Sequence, residues 1–146
     1  MQKRKEKLFG TDGIRGIPGK YPLTDGMVYK IGASLCKYLS YKGKEDNQKI
    51  KVVIGKDTRL SGSRIETMLA NAFTSSGIDV LLAGIIPSAG LSFLVDKCGA
   101  DLGIMISASH NKPQDNGMKF FIPGGRKILP SDEEWIEDIV FDNLIQ

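Results

Sequence analysis

Histidine occurs once in this 146-residue chain, as His110, and cysteine twice, as Cys36 and Cys98. One imidazole and two distant thiols without a CxxC spacing cannot assemble a Cys/His zinc site, and the cysteines read as free thiols rather than a disulfide. No apolar run approaches the roughly 18 residues of a membrane span, so no membrane partner is expected. The basic opening, residues 1–7, runs straight into Leu8-Phe9-Gly10-Thr11-Asp12. The apolar stretch of a secretory signal is missing there, and a cytoplasmic location is expected. GxxxxGK[ST] and GxGxxG are absent, which leaves nucleotide binding without support. The GxSxG elbow of a triad hydrolase is absent too.

What is present is ordinary for a folded soluble domain: 41% hydrophobic and 25% charged residues, with a net charge of +3. The length fits one domain of about 150 residues. The expected division is a basic tail over 1–7 and one α/β domain over 8–146. Charge is unevenly spread. Residues 8–130 hold 16 basic against 10 acidic side chains, whereas residues 131–146 hold six acids and no base. A mildly basic body suits a phosphate-bearing ligand and equally suits a plain solvated surface. The bases are too scattered to predict a nucleic-acid partner.

Apolar periodicity predicts a helix over 24–41, capped by Thr24, with Met27, Val28, Ile31, Leu35 and Leu39 on one face. Strands follow at 50–54, 78–82, 102–106 and 118–122. Between them the spacing predicts helices led by a capping box at Ser63 and Glu66, then over 88–97, and last from a second box at Ser131 and Glu134. Strand–helix–strand alternation from 50 to 106 requires parallel strands with right-handed crossovers. Residues 107–117 are too few for such a crossover, so strand 118–122 is expected to run antiparallel. The predicted fold class is a three-layer α/β/α sandwich on a mixed, mostly parallel sheet of about four to five strands. Ligands of such sheets bind beyond the carboxyl ends of the strands. There the loops 55–62 and 107–111 would share one edge.

Read from residues alone, the segment Ser107-Ala-Ser-His-Asn111 through Lys119 is either an anion cradle or a solvated loop whose Ser and Asn make turns. It offers a hydroxyl (Ser109), a group titrating near neutrality (His110) and a fixed positive charge (Lys119). His110 directly follows Ser109, and neighbouring side chains diverge, so a serine that carries a phosphoryl group fits better than a hydrolase nucleophile. Phe9-Gly-Thr-Asp-Gly-Ile-Arg-Gly16 surrounds Thr11, Asp12 and Arg15 with glycines that permit close backbone approach, and an arginine fork suits phosphate. Asp57 and Arg59 read equally as a structural ion pair or as ligand contacts.

Together FGTDGIRG (9–16), GKDTRLSG (55–62), residues 83–88 and ISASHNxxxDNGMKFF (106–121) resemble the N-terminal domain of the α-D-phosphohexomutases. Within that family the chain is most similar to the branch acting on glucosamine phosphates. The resemblance implies that Ser109 is phosphorylated and exchanges its phosphoryl group with a sugar monophosphate through a bisphosphate. Glucosamine 6-phosphate and glucosamine 1-phosphate would thereby interconvert. It further implies Arg15 as an active-site arginine, with Lys119 and His110 assisting proton transfer and charge balance. Thr11, Asp12, Asp57, Arg59, Ser107 and Asn111 would support the phosphate loops. Magnesium would touch phosphorylated Ser109, its other ligands coming from a later domain. Lys112 intervenes before Pro113 where the family usually has proline, while the interval from Ser109 to Lys119 is unchanged. The family's later metal, sugar and phosphate-binding domains do not occur here. The expected partners are therefore those domains, a sugar phosphate and a second copy of this domain, and the isolated domain is expected to be inactive. The alternatives are a phosphomannomutase/phosphoglucomutase domain and a non-catalytic phosphate-binding or dimerisation module.

Overall fold

The computed structural model describes residues 7–45 and 48–142. Most of the basic tail predicted over 1–7, and part of the polar loop around 42–49, therefore lie outside the described residues. In chain order the elements are β1 (Ile14–Gly16), α1 (Asp25–Lys42), β2 (Lys51–Lys56), α2 (Gly62–Ser75), β3 (Asp79–Ile85), α3 (Ser88–Lys97), β4 (Leu102–Ile106), β5 (Asn116–Ile122), β6 (Arg126–Lys127) and α4 (Pro130–Phe141). The sheet runs β1-β5-β4-β2-β3, and β6 joins the same side of β5 as β1, further along.

β2 pairs in parallel with both β3 and β4, and β5 returns antiparallel beside β4. The α/β sandwich on a mixed sheet is therefore as expected, with six strands in place of four or five. The two extra strands have three and two residues. Strands this short carry no periodicity of their own; their backbone groups are satisfied because β5 offers a free edge.

Central position explains the uniformly apolar β4: all five of its residues are buried. On one face the sheet meets α1, α2 and α4 in a core that includes Ile31, Leu35, Ile54, Leu69, Phe73, Ile104, Phe120 and Ile136. A side chain buried this fully contributes about 1.5–3 kcal/mol. Among the described residues the other face is covered by α3, whose Leu91 and Val95 pack with Val53, Ala100 and Met105. That helix lies close because Gly103 has no side chain; a Cβ there would sit 2.3 Å from Val95 Cγ2.

Thr24 caps α1 as predicted, accepting from the Met27 N–H at 3.2 Å. Neither capping box forms. α2 begins at Gly62, where the Gly62 N–H already bonds the Arg59 carbonyl, and Glu66 pairs instead with Lys56 at 2.9 Å. α4 begins at Pro130, whose ring pre-sets the helical φ, so Leu129 becomes the extended cap residue and Ser131 lies inside the helix. Among the described residues no helix is long and apolar enough to cross a membrane. Cys36 and Cys98 are unpaired.

Candidate active site

β2 and β4 end side by side, and the Asp57 N–H donates to the Ile106 carbonyl at 3.1 Å. The loops that follow, 57–61 and 107–115, therefore leave the sheet as neighbours. They border a cleft of about 780 Å³ lined by Ile17, Asp57, Arg59, Ser61, Ser109 and Asn111, among others.

Ser109 stands apart in this cleft. Its φ is +53°, the one non-glycine residue with positive φ among those described. Holding a serine in this left-handed region costs roughly 1–3 kcal/mol, a strain found where function fixes the backbone. Its exposed hydroxyl accepts from Lys119 Nζ at 2.6 Å and from an Arg15 guanidinium nitrogen at 3.4 Å. Lys119 comes from β5, where Met118, Phe120 and Ile122 turn into the larger core and leave alternate positions to the other face. Arg15 comes from β1, in register with Gly117, and its other terminal nitrogen donates to Asn111 Oδ1 at 3.2 Å. Gly13 brings the β1 loop this close: at φ +78°, a Cβ would fall 2.1 Å from the Met118 carbonyl oxygen.

Lys119 has no carboxylate within ion-pair distance among the described residues, and the acid nearest Arg15 is Asp12 at 4.0 Å. The serine hydroxyl thus sits in a surplus of positive charge. An anion about 4 Å from such a cation gains about 4 kcal/mol per unit charge at an effective dielectric near 20. Ser107, two residues earlier, is the opposite case. It is 6% exposed, its hydroxyl donates to Asp57 Oδ2 at 2.7 Å, and it accepts the Ser109 N–H at 2.9 Å. Ser107 is chemically occupied; Ser109 is open.

The remaining predicted residues are distributed around this centre. Asp57 and Arg59 form an ion pair at 3.0 Å, and Arg59 reaches on to the backbone of 109–115. Asp12 and Thr11 border an adjoining hollow with Arg15, where the Thr11 carbonyl accepts from Lys127 Nζ at 2.9 Å. His110 is exposed and makes no hydrogen bond within the described residues. Sequence reasoning missed Asn116 and Ser61. Fully buried Asn116 donates to Ser61 Oγ at 2.8 Å and accepts the Gly117 N–H, tying β5 to the start of α2. Its signal was the run Asp115-Asn116-Gly117, whose composition suits a turn although Asn116 and Gly117 open β5.

For magnesium the donor set is insufficient: the described residues contain no group of three or more His, Cys, Asp or Glu side chains able to hold a metal ion. Asp57 is committed to Arg59 and Ser107, and one serine oxygen does not hold magnesium.

The fold is an α/β sandwich on a mixed sheet whose strand ends present a strained, exposed hydroxyl to two cations, a geometry that suits an anion. The family profile "Phosphoglucomutase/phosphomannomutase, alpha/beta/alpha domain I" matches residues 6–144, and the chain belongs to that family. It is 48% identical over 134 residues to a phosphoglucosamine mutase of Dinoroseobacter shibae, covering 92% of this chain and 29% of the relative. It is 44% identical over 141 residues to one of Syntrophotalea carbinolica, covering 97% and 30%. The crystal structure of a phosphoglucomutase/phosphomannomutase family protein from Burkholderia thailandensis superposes with a TM-score of 0.77 at 26% identity, over 92% of this chain and 30% of its own. The chain thus spans about 30% of the length of the curated relatives it matches.

Proposed function

We propose that this chain is the phosphoserine-bearing domain of a phosphosugar mutase that interconverts glucosamine 6-phosphate and glucosamine 1-phosphate. The observation that carries this reading is the Ser109 hydroxyl, held in left-handed backbone between Lys119 and Arg15. In the proposed step the bond from phosphorus to Ser109 Oγ breaks as one to a sugar hydroxyl oxygen forms. The Lys119 ammonium, hydrogen-bonded to Ser109 Oγ, gives its proton to that oxygen as the bond to phosphorus breaks, and the proton of the sugar hydroxyl recharges the amine, directly or through His110. The reverse transfer from the other sugar position restores the phosphoserine. Catalysis rests on positioning and on cations that neutralise the transferring group. Magnesium belongs to this reading only through ligands outside this chain, and no step is assigned to it.

Names of the relatives favour glucosamine phosphates. The family's other branches share the chemistry on glucose and mannose phosphates. In a protein of the relatives' full length, Ser109→Ala should abolish turnover and the 80 Da phosphate adduct in intact mass. Turnover at the wild-type rate would overturn the reading. Activity on mannose or glucose phosphates in preference to glucosamine phosphates would transfer it to the other branches. This chain alone should show no turnover.

The proposed homodimer has a physical basis at β3, the outermost strand of the sheet, whose far edge pairs with no strand among the described residues. Leu81, Leu82 and Ile85 on this strand and Phe93 on α3 are 48%, 52%, 67% and 58% exposed. An exposed apolar edge strand readily pairs with another copy of itself. Light scattering of Leu82→Lys against the wild type tests this; a wild-type monomer at high micromolar concentration would refute it.

A further inference from the structure

Arginine side chains beside phosphate sites ordinarily bind phosphate, and Arg59 lines the same cleft as Ser109. Its hydrogen bonds point elsewhere. A guanidinium has five N–H donors. Nε donates to Asp57 Oδ2 at 3.0 Å. One terminal nitrogen donates to the carbonyls of Lys112 and Asp115, at 2.6 and 3.1 Å. The other donates to the carbonyls of Ser109 and Asn111, at 2.8 and 3.2 Å. Five donors meet five acceptors, and the side chain is 9% exposed. Nothing is left over for a ligand.

Four carbonyls from one irregular loop therefore converge on a single planar cation. Without it the Ser109, Asn111 and Asp115 carbonyls lose this shared partner, while that of Lys112 keeps the Asp115 N–H at 3.0 Å. The same carboxylate that orients Arg59 also accepts from Ser107, whose hydroxyl in turn accepts the Ser109 N–H. Both backbone polar groups of Ser109 are thus claimed by one unit, the carbonyl by Arg59 and the amide through Ser107. A residue pinned at both peptide groups can be kept at positive φ against its own preference.

We propose that Arg59 is a positioning residue: its guanidinium is the template around which residues 109–115 fold, and it maintains the left-handed Ser109 that aims the hydroxyl at Lys119 and Arg15. The proposal deepens the phosphoserine reading and rests on it only for the purpose of the geometry. In it Arg15 and Lys119 meet the anion, and Arg59 does not.

The test compares Arg59→Lys and Arg59→Ala with wild type on this chain, by amide hydrogen exchange and by the NMR signal of the Lys119 ammonium. Exchange at the Ser109, Asn111 and Asp115 amides, each bonded within the loop, should accelerate by at least about tenfold in both variants, while β2 and β4 stay protected. The Lys119 signal should move toward that of Ser109→Ala although the serine is still present. Lysine keeps the charge but not the fork, so it should not rescue; guanidinium ion added to Arg59→Ala should restore part of the loop protection. Exchange within twofold of wild type, or a Lys variant matching wild type, would overturn the proposal. So would loss of protection along β2 and β4 in both variants, which would make Arg59 part of the core. None of these signals involves phosphate, so failure of the mutase reading would leave them unchanged.

Discussion

The two ends of the sheet use the same kinds of side chain for opposite purposes. At the amino end of the parallel strands Lys42 sits 2.8 Å from Asp132, a carboxylate only 5% exposed, with its ammonium 5.6 and 5.7 Å from the ring centres of Tyr38 and Trp135. Tyr41 stacks on Trp135 with centroids 5.8 Å apart. The Lys42 and Asp132 charges balance each other within the fold. At the carboxyl end Lys119 has only the Ser109 hydroxyl among the described residues, and the backbone beneath it is strained. A cation balanced by a buried acid holds elements together; a cation left unbalanced beside a strained hydroxyl is available to an anion from outside. The contrast is thermodynamic: the amino end contributes stability, and the carboxyl end gives some of it up.

Substitutions should break this contrast in a fixed order of size. Ser109→Ala in a protein of the relatives' full length should lower phosphoryl transfer by at least about 10³-fold, and Lys119→Met by about 10²-fold. Both should leave thermal unfolding of this domain within about 0.5 kcal/mol of wild type. Steady-state rates beside calorimetry check both halves. Asp132→Ala at the other end should destabilise the domain by about 2 kcal/mol, because Lys42 and the buried Tyr38 hydroxyl lose their acceptor. Denaturant titration measures this loss, and phosphoryl transfer should be unaffected. Ser109→Gly should raise stability by about 1 kcal/mol, since glycine takes positive φ without strain. A decrease would remove the argument that the site stores strain.

The smallest effect is a pH dependence at the amino end. Burial first, then the Asp132 charge and hydrogen bond, push the Tyr38 phenol well above its ordinary value. Above about pH 10 the unfolded chain then releases a proton that the folded chain keeps, so stability falls as pH rises. Tyr38→Phe should flatten that alkaline decline in unfolding curves between pH 9 and about 11. Cys36, whose thiol burial also pushes up, adds a decline of the same sign in both proteins.

Much of this was legible in the chain. The helix 88–97 and the antiparallel return of β5 follow from periodicity and loop length, because burial of one face leaves a period that is independent of neighbours. The Asp57–Arg59 pairing was one of two readings open from a spacing of two residues. The capping boxes misled because Ser63 and Glu66 have the right spacing, but Lys56 claims the carboxylate and the Arg59 carbonyl starts the helix earlier. β1 hid inside a glycine-rich motif that read only as a ligand loop.

By itself the amino-acid order determined the layering of this protein and the inventory of its site, since period, turn residues and the presence of a hydroxyl, two cations and an acid are local properties of the chain. Only the tertiary structure decided which serine is free and which arginine is spent. Those roles depend on hydrogen-bond partners distant in sequence, in loops that follow adjacent strands, as between Arg59 and Asn111, 52 residues apart, and a donor's availability is defined only when all its neighbours are in place.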